Sequence, residues 1–270
     1  MISGHYMANT WRAHRVLLFF AFAVVGFFQV VILALVVGAD LLGMVEMFYR
    51  QLPPSIRALL GDQLFAQFSV EGAVAFGYLH PMVLTMSIIV AILLPARHIA
   101  GEVETGTLEL VFALPLRRST ITLSLWLFSG VALLGIVIGG WVGTGVGFWL
   151  FPEVRGVPMW GIAKAGISLW LLVFAISSYT LLFSAYARES GPATLRSAGL
   201  TLLFYFLNFT VLVWPVIDFM KYFTLFHYHR PQQLMMDESL LGLNVAVPVL
   251  VIIVCGALAV RQVNRRDIPG

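Results

Sequence analysis

Charged residues are scarce in this sequence. Asp, Glu, Lys and Arg make up 11% of its 270 residues and hydrophobic residues 60%, whereas soluble domains carry roughly 25% charged residues. A lipid bilayer is therefore the expected solvent of this chain. Spanning helices need about 20 apolar residues each, and six such stretches use most of the length, so we expect one membrane domain and no separate soluble domain.

Cysteine and lysine are almost missing. Cys255 is the only cysteine, which excludes an intramolecular disulfide and argues against a cysteine metal site. The two lysines, Lys164 and Lys221, lie outside any Gly-Lys-Ser/Thr setting, so the chain has no P-loop and is expected neither to hydrolyse ATP nor to bind a cofactor. Its basic residues are spread out rather than gathered in a run, which argues against a nucleic-acid partner.

Six apolar stretches contain no Asp, Glu, Lys or Arg. They cover residues 16–38, 79–96, 121–151, 165–187, 198–217 and 240–260. The first is longer than the roughly 7–15 apolar residues of a secretory signal, so we interpret it as a retained span. The sequence predicts an all-α membrane protein with six transmembrane helices.

The distribution of arginine indicates the orientation. With a cytoplasmic N-terminus, ten of the sixteen basic residues fall on the inner side, namely Arg12, Arg15, Arg97, Arg117, Arg118, Arg188, Arg196, Arg261, Arg265 and Arg266. Basic residues are enriched in cytoplasmic loops. We therefore expect both termini in the cytoplasm and the chain in the inner membrane of the cell.

Two segments outside the spans carry helical patterns. In the outer segment 40–78, Ile56, Leu59, Leu60 and Leu64 recur at helical spacing after two prolines, which predicts a helix along the membrane surface. In the inner segment 97–120, a helix over about 98–114 has one apolar stripe, made of Val103, Thr107, Leu110, Val111 and Leu114. We expect this stripe to rest on the bundle, with the carboxylates of Glu102 and Glu109 facing the cytoplasm.

The third apolar stretch carries a glycine at every fourth position, at Gly135, Gly139, Gly143 and Gly147. Small residues on one face of a membrane helix let two backbones approach closely. This pattern favours helix packing, and the lining of a translocation path is the alternative.

The inner segment also resembles a known family. Residues 101–109 read G-E-V-E-T-G-T-L-E and residues 113–118 read A-L-P-L-R-R. This is similar to type-2 ATP-binding-cassette permeases, in which such a stretch and turn lie between the second and third spans and form the coupling helix. The run L-F-H-Y-H-R-P at 225–231 is similar to a stretch that some of these permeases carry before their last span.

The resemblance implies a pair of permease chains, alike or different, with two ATPase chains that bind ATP and Mg. Each coupling helix would sit in a groove of one ATPase. It implies charged contacts from Glu102, Glu104 and Glu109, close packing by Thr107 and Leu108, and an exit into the third span at Pro115 and Arg118. No catalytic residue and no metal ligand is expected.

Uncharged spans argue against a path for a small ion and favour an apolar or amphipathic cargo, with export as the direction that the resemblance implies. Two alternatives stay open. One is a secondary transporter, whose signature would be an intramembrane carboxylate or matching broken helices. The other is a membrane anchor for an ATPase that moves no cargo itself.

Overall fold

The computed structural model describes residues 4–39, 43–44, 47, 51, 69–106, 117–236 and 241–265. Within these residues the chain is helical and contains no strand. The helices are α1 (Gly4–Gly38), α2 (Val70–Leu79), α3 (Pro81–His98), α4 (Ala100–Glu104), α5 (Arg118–Leu150), α6 (Met159–Tyr186), α7 (Ser190–Val213), α8 (Pro231–Met236) and α9 (Leu241–Arg265). Short 3-10 helices cover Pro152–Val154, Pro215–Phe223 and Leu225–Tyr228.

Among the described residues, five helical stretches are long and apolar enough to cross a membrane. They are Met7–Gly38, Val70–Glu104, Arg118–Leu150, Met159–Tyr186 and Gly242–Arg265. The predicted fifth span at 198–217 overlaps α7, which is not among these five stretches. The chain is therefore a multi-pass α-helical membrane protein.

The connections between helices gather at two ends of the bundle. At one end, the end of α3 and the start of α5 pack with the ends of α6 and α9, around Ile99, Leu125, Leu181 and Val263. We call this the terminal end, because α1 begins and α9 finishes there. The other end, which we call the opposite end, holds α2, α8 and the 3-10 helices.

Helix α6 is the centre of the bundle. It packs against α3, α5, α7, α8 and α9, and side chains around its whole circumference are buried, Leu169, Leu172 and Ile176 among them. A helix that is apolar on all sides is stable in such a central position. The other helices consequently take their places around α6.

Lys164 lies inside this central helix, which corrects one expectation. The apolar pattern placed the start of the fourth span at residue 165 and Lys164 in an outer loop. Helix α6 begins earlier, directly after the extended residue Pro158, so Lys164 lies in its second turn with 3% of its surface exposed. The predicted stretch 165–187 itself contains no charged residue, but the helix that includes it does.

The outer segment 40–78 also differs from the prediction. Its last part is α2, in which Val74, Ala75 and Tyr78 are fully buried in the bundle. Ser69 caps α2 by accepting a hydrogen bond from the N–H of Gly72 at 3.0 Å. The predicted surface helix at 56–64 lies outside the described residues and stays a prediction.

Helices α1 and α5 run in the same direction and touch through glycine. A Cβ atom on Gly139 would lie 2.5 Å from the carbonyl oxygen of Phe22, and one on Gly26 would lie 2.7 Å from that of Gly139. Gly143 meets the backbone of Gly26 more closely still. Backbone atoms cannot move aside as a flexible side chain can, so these positions require glycine.

Gly143→Leu should destabilise the bundle, because its side chain would force α1 and α5 apart. Overpacking of this kind costs about 1–3 kcal/mol or more. The measurement is the thermal unfolding midpoint of the purified chain in detergent. The matched control is Gly135→Leu on the same face, where a Cβ meets nothing within 4 Å. An equal loss of stability in both variants would contradict the packing role of Gly143.

Candidate functional site

The inner segment between α3 and α5 begins with a short helix. Helix α4 ends at Glu104, and Gly106 then adopts the left-handed conformation with φ of 71°. Glycine favours this conformation at a helix end. The predicted continuous helix over 98–114 is therefore interrupted at residues 105–106. Residues 107–116 lie outside the described part of the chain, so the roles assigned to Thr107, Leu108, Glu109 and Pro115 stay predictions.

Helix α4 is fastened to the end of α6. The N–H of Ala100 donates a hydrogen bond to Ser184 Oγ at 3.0 Å, and this hydroxyl donates to the carbonyl of Ala96 at 3.4 Å. A buried cluster of four alanines surrounds the junction, namely Ala96, Ala100, Ala187 and Ala193. Small side chains let the ends of α3, α4, α6 and α7 approach closely at this junction.

Glu104 joins α4 to the first turn of α7. Its Oε2 accepts hydrogen bonds from the N–H of Ser190 at 3.0 Å and from the Ser190 hydroxyl at 2.7 Å. The N-cap residue of α7, Glu189, makes no side-chain cap bond of its own. A carboxylate at a helix N-terminus satisfies its free N–H groups and its dipole. Glu104 thus caps a helix that begins 86 positions later in the chain.

Glu102 lies on the side of α1. Its Oε1 is 3.7 Å from His98 Nδ1, and the Glu102 side chain is 19% exposed. The Nε2 atoms of His98 and His14 of α1 are 2.9 Å apart, so one ring donates a hydrogen bond and the other accepts it. His98, one helical turn earlier, therefore gives the Glu102 carboxylate a partner within the chain, and the predicted contact of Glu102 with an ATPase stays a prediction.

Arg118 is the first residue of α5, and Arg117 before it has an extended backbone. The carbonyl of Arg118 accepts a hydrogen bond from the Thr122 hydroxyl at 3.1 Å. The connection between α3 and α5 therefore runs from His98 to Arg118. Together, residues 98–106 and 117–118 form the described part of what we call the coupling segment.

An apolar groove of about 450 Å³ lies between α3 and α7. Leu84, Thr85, Ile88 and Ile92 of α3 form one wall, and Ala198, Thr201, Leu202 and Tyr205 of α7 form the other. The coupling segment touches both helices, since α4 follows α3 and Glu104 caps α7. Both walls of the groove are therefore connected to α4.

A buried hydrogen-bond network fixes the opposite end. His229 Nε2 lies 3.2 Å from the carbonyl oxygen of Tyr78, to which it must donate, so Nδ1 accepts from the Ser168 hydroxyl at 3.0 Å. Burial lowers the pKa of His229 to about 4. The neutral His229 ring thus connects the run 225–231 to α2 and α6, and this run has a structural role.

Sequence reasoning missed the partners of the coupling segment. Ser184, Ser190 and His14 are each 84 or more positions away from the groups they contact. A local signal did exist for Ser190, because Ser-Gly-Pro at 190–192 is typical of a helix start. No local pattern indicates which carboxylate caps that helix.

Acidification should weaken the opposite end through His229. The folded pKa of about 4 is below the ordinary 6.5, so the stabilisation is complete above pH 6.5 and is lost as the pH falls towards 4. His229→Asn cannot be protonated, so its unfolding midpoint should be lower at pH 7 and should fall less between pH 7 and 4.5. An identical pH dependence in variant and wild type would show that His229 is not the titrating group.

Comparison of the sequence with known protein families gives one match. The sequence model of one family, described as ABC-2 family transporter protein, matches residues 4–268. No curated protein matches the chain significantly. The family match covers the helical bundle and the coupling segment together, and membership implies partnership with an ABC ATPase subunit. The chain belongs to the ABC-2 transporter family.

Proposed function

We propose that the chain is the membrane-spanning permease subunit of an ABC exporter with an apolar or amphipathic substrate. The observation that carries the proposal is the coupling segment, which is bonded to α6 through Ser184 and to α7 through Ser190. ATP hydrolysis is supplied by two separate ATPase chains, which hold ATP and Mg. This chain pairs with a second permease, identical or different, and binds no cofactor itself.

The proposed topology has six spans, with α7 as the fifth. Its 24 residues extend about 36 Å at 1.5 Å per residue, which exceeds the hydrocarbon thickness of about 30 Å. Its second half exposes Leu202, Phe206 and Phe209, which suit a lipid environment. Six spans put both termini on one side.

Arginine supports the cytoplasm as that side. The described residues of the terminal end include nine arginines, namely Arg12, Arg15, Arg97, Arg117, Arg118, Arg188, Arg196, Arg261 and Arg265. Such an accumulation of basic residues at one end of the bundle is typical of cytoplasmic segments. The ATPase chains then meet the terminal end in the cytoplasm, and the inner membrane is the proposed location.

Coupling follows from the contacts of α4. Closure of the ATPase pair on ATP displaces the coupling segment, and the hydrogen bonds of Ser184 and Ser190 carry this displacement into α6 and α7. Helix α3 moves with α4 because only Ile99 separates them. Both walls of the α3–α7 groove respond, which suits a switch between inward and outward access.

The groove supports the proposed cargo class. Its lining is apolar apart from three threonines and Tyr205, and such a surface favours an apolar or amphipathic molecule over an ion. A secondary transporter would be expected to bury a carboxylate at mid-depth. The charged residue that the described bundle buries is Lys164 instead, near the start of α6. The alternative, in which the chain only anchors the ATPase, is tested by measuring whether ATP changes the accessibility of the groove.

Charge reversal in the coupling segment should release the ATPase. Glu102→Lys combined with Glu109→Lys should lower the amount of ATPase that copurifies with the tagged chain. The reason is that a positive charge replaces the negative charge at each proposed contact with the ATPase. Glu153→Lys is the matched control, because Glu153 lies in the 3-10 helix of the opposite end. Both proteins are first checked for equal insertion into the membrane. Undiminished ATPase recovery with the double variant would argue against the coupling assignment.

Breaking the Glu104–Ser190 contact should uncouple the groove without releasing the ATPase. A Thr85→Cys probe in a Cys255→Ser background reports the groove through its maleimide labelling rate, which ATP and vanadate should change. Adding Glu104→Gln should reduce that change while ATPase copurification stays normal. A full response to ATP in the Glu104→Gln protein would exclude this contact from the coupling route, and a probe that never responds would favour the anchor.

A further inference from the structure

Helices α1 and α5 separate on the way to the terminal end. They touch at Gly139, Gly143 and Gly147, and beyond Gly139 towards the terminal end a groove of about 890 Å³ opens between them. The groove opens on the outside of the bundle, where its lining residues Val131 and Ile138 are exposed. It is distinct from the α3–α7 groove, since the two share no lining residue.

Gly135 marks the place where the two helices have separated. It is the next member of the glycine series, yet a Cβ atom there would meet nothing within 4 Å. Gly135 lines the groove together with Phe19, Phe128 and Val131. Its missing side chain widens the groove instead of allowing a helix contact.

The groove carries one charge, at its mouth. Arg15 lines the groove near the start of the apolar part of α1, beside Trp11, and the rest of the lining is apolar. Arg15 is exposed, and no hydrogen-bond or ion-pair partner reaches it from the residues that the structure describes. Trp11 is 52% exposed, and tryptophan is enriched where the hydrocarbon core meets the headgroups.

We propose that this groove binds an anionic phospholipid of the leaflet at the terminal end. One acyl chain lies along Phe19, Val131 and Gly135, and the phosphate of the headgroup pairs with Arg15. The occupant must be apolar along its length and negative at one end, and an anionic phospholipid meets both demands in one molecule. Val16 and Phe19, which are 77% and 71% exposed, extend the apolar surface beside the groove.

A second copy of the chain fits this groove less well. It would have to bring a carboxylate to Arg15. Of the three described carboxylates at the terminal end, two already have partners within the chain, and the third, Glu189, is exposed. Glu102 lies beside His98, and Glu104 caps α7 through Ser190. A phospholipid supplies a negative headgroup and an apolar chain together, whereas a second copy would have to bring the exposed Glu189 and an apolar surface to the groove at once. The charge and the lining together therefore favour the lipid.

The test is native mass spectrometry of the purified chain, delipidated and titrated with phosphatidylglycerol or phosphatidylcholine of the same acyl chains. The wild type should retain one phosphatidylglycerol in preference to phosphatidylcholine. Arg15→Gln should weaken phosphatidylglycerol binding about fivefold, as expected for one basic contact near a membrane surface. It should weaken phosphatidylcholine binding less, because the choline ammonium of that lipid offsets the charge of its phosphate. Gly135→Leu should weaken both lipids, because its side chain fills the groove.

Two control variants on α7 separate this site from general effects of charge and size. Arg196→Gln removes an exposed arginine of the terminal end, and Gly199→Leu adds a side chain at a glycine with nothing within 4 Å. Neither should change the retained lipid. Equal retention of the two lipids by the wild type, or unchanged binding in both groove variants, would overturn the proposal. So would a loss of dimer in place of a loss of lipid, which would identify the groove as a contact between copies.

Discussion

Close approach between helices is the constraint on which this structure depends. In a bilayer, a helix gains little by moving apolar surface from lipid to protein, so association requires tight packing and hydrogen bonds. Gly26 and Gly143 let α1 and α5 meet backbone to backbone. Alanines do the same at the junction of α3, α4, α6 and α7. Where the small residues no longer meet a neighbour, as at Gly135, the helices separate and leave a groove.

The same packing holds α4 against the bundle. Helix α4 has only five residues, too few to be stable by itself in water. Its position depends on Ser184, on Ser190 and on the alanine junction. In the proposed assembly, these contacts are the route by which a force on α4 reaches α6 and α7, and through them the groove between α3 and α7.

The sequence predicted the helices better than their contacts. Long apolar runs and the distribution of charge are local properties, so five of the six predicted spans have counterparts among the helices apolar enough to cross a membrane. The start of α6 was misplaced because Lys164 interrupts the apolar run without interrupting the helix. The break at Gly106 was missed because glycine in a periodic pattern does not reveal its φ angle. The cap that Glu104 provides for Ser190 joins distant positions, which no periodicity encodes.

The central claim is that α4 and α7 move as one unit when the ATPase acts. The ideal Cβ of Gly101 lies 3.8 Å from the Cβ of Ser190, a separation that suits a disulfide. In a Cys255→Ser background, Gly101→Cys and Ser190→Cys can therefore lock the two helices reversibly, and ATP-driven changes in groove accessibility can be measured with and without reductant. The account predicts that the locked protein responds to ATP as fully as the reduced one. A response that appears only after reduction would show that α4 must move relative to α7, and would contradict it.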